Sequence, residues 1–124
     1  MASNKLQTFG PVALTATLTT NVIAPAAAGA SAVGYTATGS YVVLRHIRIV
    51  NKTAGAVTFS LYLGATGANA AGTEVVGTAL SVAANSAFDW YGALRLEGAN
   101  GFVVGGASAA TSLTLTAEGE VGLV

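Results

Sequence analysis

His46 is the only histidine among 124 residues, so any imidazole catalysis has to centre on it. A catalytic imidazole needs a nucleophile on one side and an orienting acid on the other. Asp89 can supply the acid and many serines the nucleophile, yet no spacing in the chain singles out such a set. The residues favour a buried or interfacial histidine whose hydrogen bonds are satisfied. A metal site needs several imidazoles or carboxylates brought together, and one His with five acids and no Cys offers little material. Glu118 and Glu120 lie two apart, which in a strand places them on one face with Cα atoms about 7 Å apart. Glycoside hydrolysis uses carboxylate pairs, but they must oppose one another across a substrate. Neighbours on one strand read instead as a solvated or Arg-paired edge. No catalytic residue, cofactor or metal is therefore expected.

The densest cluster is Phe88-Asp89-Trp90-Tyr91-Gly92. In a strand Phe88 and Trp90 share one face, and Asp89 and Tyr91 the other. An exposed aromatic beside a carboxylate can stack a sugar ring and accept its hydroxyl protons, making Asp89, Trp90 and Tyr91 candidate glycan contacts. The alternative puts Phe88 and Trp90 in the core and Tyr91 in an interface, where tyrosine is common. Gly105-Gly106 and the run from Gly64 to Gly72 are not phosphate cradles, since no helix follows and no Lys accompanies them. Asn51-Lys52-Thr53 fits the glycosylation sequon, a motif short enough to arise by chance.

The elements that position these residues read as strands. Val12, Leu14, Ala16 and Leu18 alternate with Thr15 and Thr17, and Val57, Phe59, Leu61 and Leu63 alternate with Thr58, Ser60 and Tyr62. Leu113 and Leu115 do the same among Ser112, Thr114 and Thr116. This period of two marks half-buried strands. Further strands are expected at 41–50, 75–82, 87–91, 94–97 and 102–104, separated by turn clusters at 51–55, 64–72, 83–86 and 98–101. No segment carries a helical stripe. About eight short strands at regular spacing predict an all-β fold, an antiparallel β-sandwich with jelly-roll-like connections, as a single domain over 1–124.

Three segments break the pattern. Residues 1–11 and 24–40 read as extended arm or loop segments, the second being rich in Ala, Gly, Ser and Thr without any charge. The other is Tyr41–Val50, YVVLRHIRIV. Strict alternation puts Val43, Arg45, Ile47 and Ile49 on one face, and Val42, Leu44, His46, Arg48 and Val50 on the other. Both faces are largely apolar and both carry a cation, which predicts a central strand covered on both sides, once by its own core and once by a loop or a neighbouring subunit. Arginine suits such a place, because its stem packs while its planar head forms paired hydrogen bonds.

Charged residues make up 8% of the chain, five basic against five acidic, with 52% hydrophobic residues and a mean hydropathy of +0.63. Soluble domains usually carry about 25% charged residues. Either a membrane or other protein must meet much of this surface. A spanning helix needs about 20 consecutive apolar residues, and here Thr, Ser, Asn and Gly interrupt every run. The smallest outer-membrane barrel needs eight strands of about 9–11 residues, longer than most strands expected here. Zero net charge gives no long-range attraction for nucleic acid or anionic lipid. The remaining explanation is protein–protein contact, with Arg45, Arg48, Tyr62 and Tyr91 as candidate interface residues.

LRHIRIVNKTAGAVTFSLYLG (Leu44–Gly64), VAANSAFDWYGALRL (Val82–Leu96) and SLTLTAEGEVGLV (Ser112–Val124), with the opening GPVALTATLTTNV, resemble small β-sandwich virion proteins of tailed bacteriophages of actinobacteria. The resemblance covers most of the chain after residue 40, and it lies in strand-and-turn patterns, not in a catalytic signature. It implies a non-enzymatic structural protein located in the virion. Such a protein self-associates as a trimer or other homo-oligomer and docks on the major capsid protein or on tail proteins. A capsid decoration or cement protein is the leading expectation, and a minor tail-tip protein that can bind host glycan is the alternative. Neither expectation includes a membrane, a nucleic-acid partner or a cofactor.

Overall fold

Alternating apolar and hydroxyl side chains cannot bury an apolar face alone, and they do so here by pairing into two stacked sheets. A computed structural model describes residues 5–25, 33–35, 40–65 and 73–123. The described strands are β1 (Lys5–Ala13), β2 (Asn21–Pro25), β3 (Val33–Tyr35), β4 (Ser40–Asn51), β5 (Val57–Leu63), β6 (Leu80–Val82), β7 (Ser86–Leu96), β8 (Val103–Ala107) and β9 (Leu113–Leu123). One sheet has the order β1-β9-β4-β7 and the other β3-β2-β8-β5-β6.

Four antiparallel partnerships explain these orders: β1 with β9, β2 with β8, β4 with β7, and β5 with β6. They are the pairs made by one long antiparallel hairpin, and rolling that hairpin up produces the two sheets of a jelly roll. The eight antiparallel strands therefore form the expected sandwich, while three-residue β3 adds a short parallel edge to β2. Phe9, Leu44, Ile47, Ile49 and Leu115 from one sheet meet Ile23, Phe59, Leu61 and Val103 from the other in a buried core. Each such side chain contributes roughly 1.5–3 kcal/mol by leaving water.

Several boundaries differ from the alternation pattern. From residue 5 on, the segment 1–11 is extended as part of edge strand β1, which runs to Ala13. Of 24–40, Ala24 and Pro25 end β2, 33–35 form β3 and Ser40 opens β4; 26–32 and 36–39 lie outside the described residues, as do 66–72 of the Gly64–Gly72 run. No strand continues through Leu18. Thr15 Oγ1 accepts from the Thr17 amide and pairs with Thr20 Oγ1 at 2.7 Å, and such local hydroxyl bonds turn the chain in place of a ladder. Residues 87–91 and 94–97 merge into the single strand β7. β8 runs on through Gly105-Gly106, buried along its whole length. A Cβ at Gly105 would collide with the Ser60 carbonyl oxygen of β5, so only glycine lets the two strands approach there.

Candidate functional site

The site is built on a fault in β4. Leu44 pairs with Gly119 of β9, His46 with Glu118 and Ile47 with Ala117, leaving Arg45 as an extra residue in the ladder. The bulge switches the phase of the strand. Val42 and Leu44 point into the core before it, Ile47 and Ile49 after it. Arg45, His46 and Arg48 consequently share the outer face of the four-stranded sheet. β4 lies centrally, between β9 and β7, and among the described residues only one of its faces is packed into the core. The expected division of cations between two covered faces fails because alternation is not continuous.

Glu118 and Glu120, two apart on β9, receive these cations in register. Arg45 Nη2 donates to Glu120 Oε2 at 2.9 Å, and His46 Nδ1 lies 3.1 Å from Glu118 Oε1. On β7, Asp89 Oδ1 lies 2.7 Å from His46 Nε2 and accepts from Arg48 Nε at 2.8 Å. The Tyr91 ring stacks on the imidazole at 4.5 Å between centroids and 8° between planes. Farther along β7, Arg95 pairs with Glu97 at 2.8 Å and lies 4.4 Å from the centroid of the Tyr41 ring. The hydrogen bond to Asp89, and then that to Glu118, raises the His46 pKa above its ordinary 6.5. Arg48 first, then His46, holds the Asp89 carboxyl below its ordinary value. With His46 protonated, Arg45, Arg48, Arg95 and His46 balance Asp89, Glu97, Glu118 and Glu120.

This geometry bears directly on the chemistry of His46. Both ring nitrogens face carboxylates, so neither is placed to take a proton from a hydroxyl or to ligate a metal. The described residues hold no group of three or more His, Cys, Asp or Glu side chains placed to bind a metal ion. No helix among them is long and apolar enough to cross a membrane. A concavity of about 290 Å³ opens beside the network, lined by Leu6, Thr8, Arg45, His46, Tyr91 and Glu118. Leu6 is 84% exposed and Tyr91 72%, so two large apolar groups stand in water next to ion pairs that are already neutralised.

Of the candidate interface residues, Arg45, Arg48 and Tyr91 come together on this face. Tyr62 does not. It lies in β5 of the other sheet, is 7% exposed, and bridges Glu74, so the chain's own packing removes it from the outer surface. The candidate glycan set also separates. Asp89 and Tyr91 are neighbours outside, whereas Trp90 points inward and packs against the core. Asn51 of the sequon is fully buried. Its Nδ2 donates to the carbonyls of Gly55 and Val82, and its Oδ1 accepts from the Thr53 amide. The Arg pairing expected of Glu118 and Glu120 is made by Arg45 with Glu120, but on inner strand β9 and not on an edge, and the partnership of His46 with Glu118 was not foreseen. Its signal was two adjacent cations in an otherwise alternating strand, opposite two carboxylates spaced by two. No protein-family model matches this chain, and searches of curated proteins and of solved structures find no match either.

Proposed function

We propose that this protein is a non-enzymatic structural component of a bacteriophage virion, a homo-oligomeric protein that decorates and reinforces the capsid. The observation that carries the reading is the distribution of charge. The four-stranded sheet collects most of the charged side chains on its outer face and pairs them within the chain. None of the five strands of the other sheet contains a charged residue. Such a surface offers no net charge to an ionic substrate or a nucleic acid. It offers small hydroxyl and apolar groups to a partner of matching shape, as protein interfaces do. The resemblance of the strand-and-turn segments to phage virion proteins points the same way.

Gold-labelled antibody against the chain, applied to intact particles of the phage that encodes it, tests the reading. Labelling over the capsid surface is expected. Labelling confined to the tail tip would replace decoration by the minor tail role, and particles without the chain would defeat the virion assignment.

A further inference from the structure

Sheet edges invite pairing, and proteins usually blunt them with short strands, proline or bulges. Among the described strands, four end the two sheets: β1, β7, β3 and β6. β3 and β6 are three residues each. β1 carries Pro11 and an irregular register between Phe9 and Val12, and proline cannot donate to a neighbouring strand. β7 is the longest of the four, and its ladder with β4 shifts register only at Gly92 and Ala93, between Tyr91 and Leu94. It is 11 residues long and contains no proline. Its inward side chains Phe88, Trp90 and Leu94 pack on the core yet stay only half-buried, as apolar groups do when the next strand is missing.

The sequence of β7 complements itself. When two copies of one strand pair antiparallel about a two-fold axis, opposite residues must share a face, so the axis passes through a residue and not between two. With Gly92 on the axis, Asp89 of each copy, already bonded to His46 and Arg48, lies opposite Arg95 of the other, which shares its guanidinium with Glu97. Tyr91 then meets Ala93 on the outer face, and on the inner face Trp90 meets Leu94 and Phe88 meets Leu96. Moving the axis to Ala93 sets Asp89 against Glu97, which repel. Moving it to Tyr91 sets Asp89 against Ala93. Only the Gly92 register joins opposite charges twice while matching large apolar groups with aliphatic ones.

We propose that β7 is the self-association edge of this protein, two copies pairing antiparallel about Gly92 so that their four-stranded sheets continue as one. This deepens the assembly reading above and rests on its homo-oligomeric part. The partner is a second copy of the chain and the unit formed is a dimer.

The chain contains no cysteine, so introduced thiols report without background. Residues directly opposite in an antiparallel pair have Cα atoms about 4.5–5.5 Å apart, within disulfide reach, whereas positions two apart on one strand, about 7 Å, are beyond it. The double variant Tyr91→Cys/Ala93→Cys is expected to run as a covalent dimer on a non-reducing gel, with each single variant remaining monomeric. Cross-linking by Tyr91→Cys alone or by Ala93→Cys alone would overturn the register. A folded double variant, checked by circular dichroism, that yields no covalent dimer would overturn the proposal. Sedimentation supplies a second measurement. Arg95→Glu is expected to weaken dimerisation about tenfold, since two cross-strand pairs change from attraction to repulsion, and unchanged association would count against the register. Cross-linked dimers from a chain missing from the particle would defeat the virion reading and leave this one standing. A labelled capsid with no cross-link would do the reverse.

Discussion

A histidine hydrogen-bonded to a carboxylate on each ring nitrogen holds its proton more tightly than a free one, and in doing so His46 ties β4 to both β7 and β9. The groups around it are Asp89 and Tyr91 of β7, Glu118 of β9, and Arg45 and Arg48 of β4. Because its folded pKa is raised, its contribution to stability is fully present below about pH 6.5 and is lost as pH rises through the folded value. Asp89 has a lowered pKa, so its contribution is present above its ordinary value and disappears as pH falls through the folded one. The melting temperature should therefore decline as pH rises from about 6.5 through the folded value of His46, and His46→Gln should flatten that decline. A wild-type curve with no slope in this range would contradict the assignment. Asn51 makes a second residue-scale case. Asn51→Ala takes its donor from the buried Val82 carbonyl, while Gly55 keeps the Thr53 hydroxyl, at a cost of about 1–3 kcal/mol, measurable by urea unfolding. In sequence it stands out only through a chance-prone match to the glycosylation sequon. Only the fold reveals that its side chain closes the β4–β5 turn from within.

At the scale of elements, alternation located β5 and β9 because apolar side chains recur at every second residue in each, although β5 is buried on both faces from Phe59 to Tyr62, and it located β4 on either side of Arg45. It could not locate the phase break in β4, since a bulge depends on what the neighbouring strands offer and not on β4 alone. β9 offers Gly119. A side chain there would collide with the Val43 carbonyl oxygen, so the strands close around the bulge only where β9 carries glycine. Gly119→Ala should force them apart and cost about 1–3 kcal/mol. The variant should also lose part of the pH dependence of melting, because Glu118 moves with the backbone that carries it. Full retention of both stability and pH slope would show that the sheet yields easily at this point. The loop at 14–20 misled alternation for a different reason. Its threonines have strand character, but their hydroxyls bond locally and its Leu18 stays partly exposed.

For the molecule as a whole, the number and spacing of strands were enough to predict a sandwich, and the rolled-hairpin pairing follows from joining neighbours antiparallel. The separation of charge between the sheets was hidden for a simpler reason: strand assignment to sheets is a long-range property. Stability should rest on the shared core. Ile47→Ala or Leu115→Ala, both fully enclosed, should cost about 2–5 kcal/mol, while Lys52→Ala in the exposed β4–β5 turn should change stability by less than about 0.5 kcal/mol. Chemical denaturation of the three variants checks the contrast. Equal losses would mean that the sandwich is held by its surface.

The phase break also constrains how β4 can misfold. An evenly alternating strand can slip by two residues and still bury its apolar side, which makes register errors inexpensive. β4 has no such freedom. If it slides while the bulge stays at its place in the sheet, either His46 or Arg45 is turned into the core. If the bulge travels with the strand, it leaves Gly119 and meets a residue with a side chain where there is no room for one. One surplus arginine thus acts as a register lock at the centre of the sheet, admitting a single alignment of three strands.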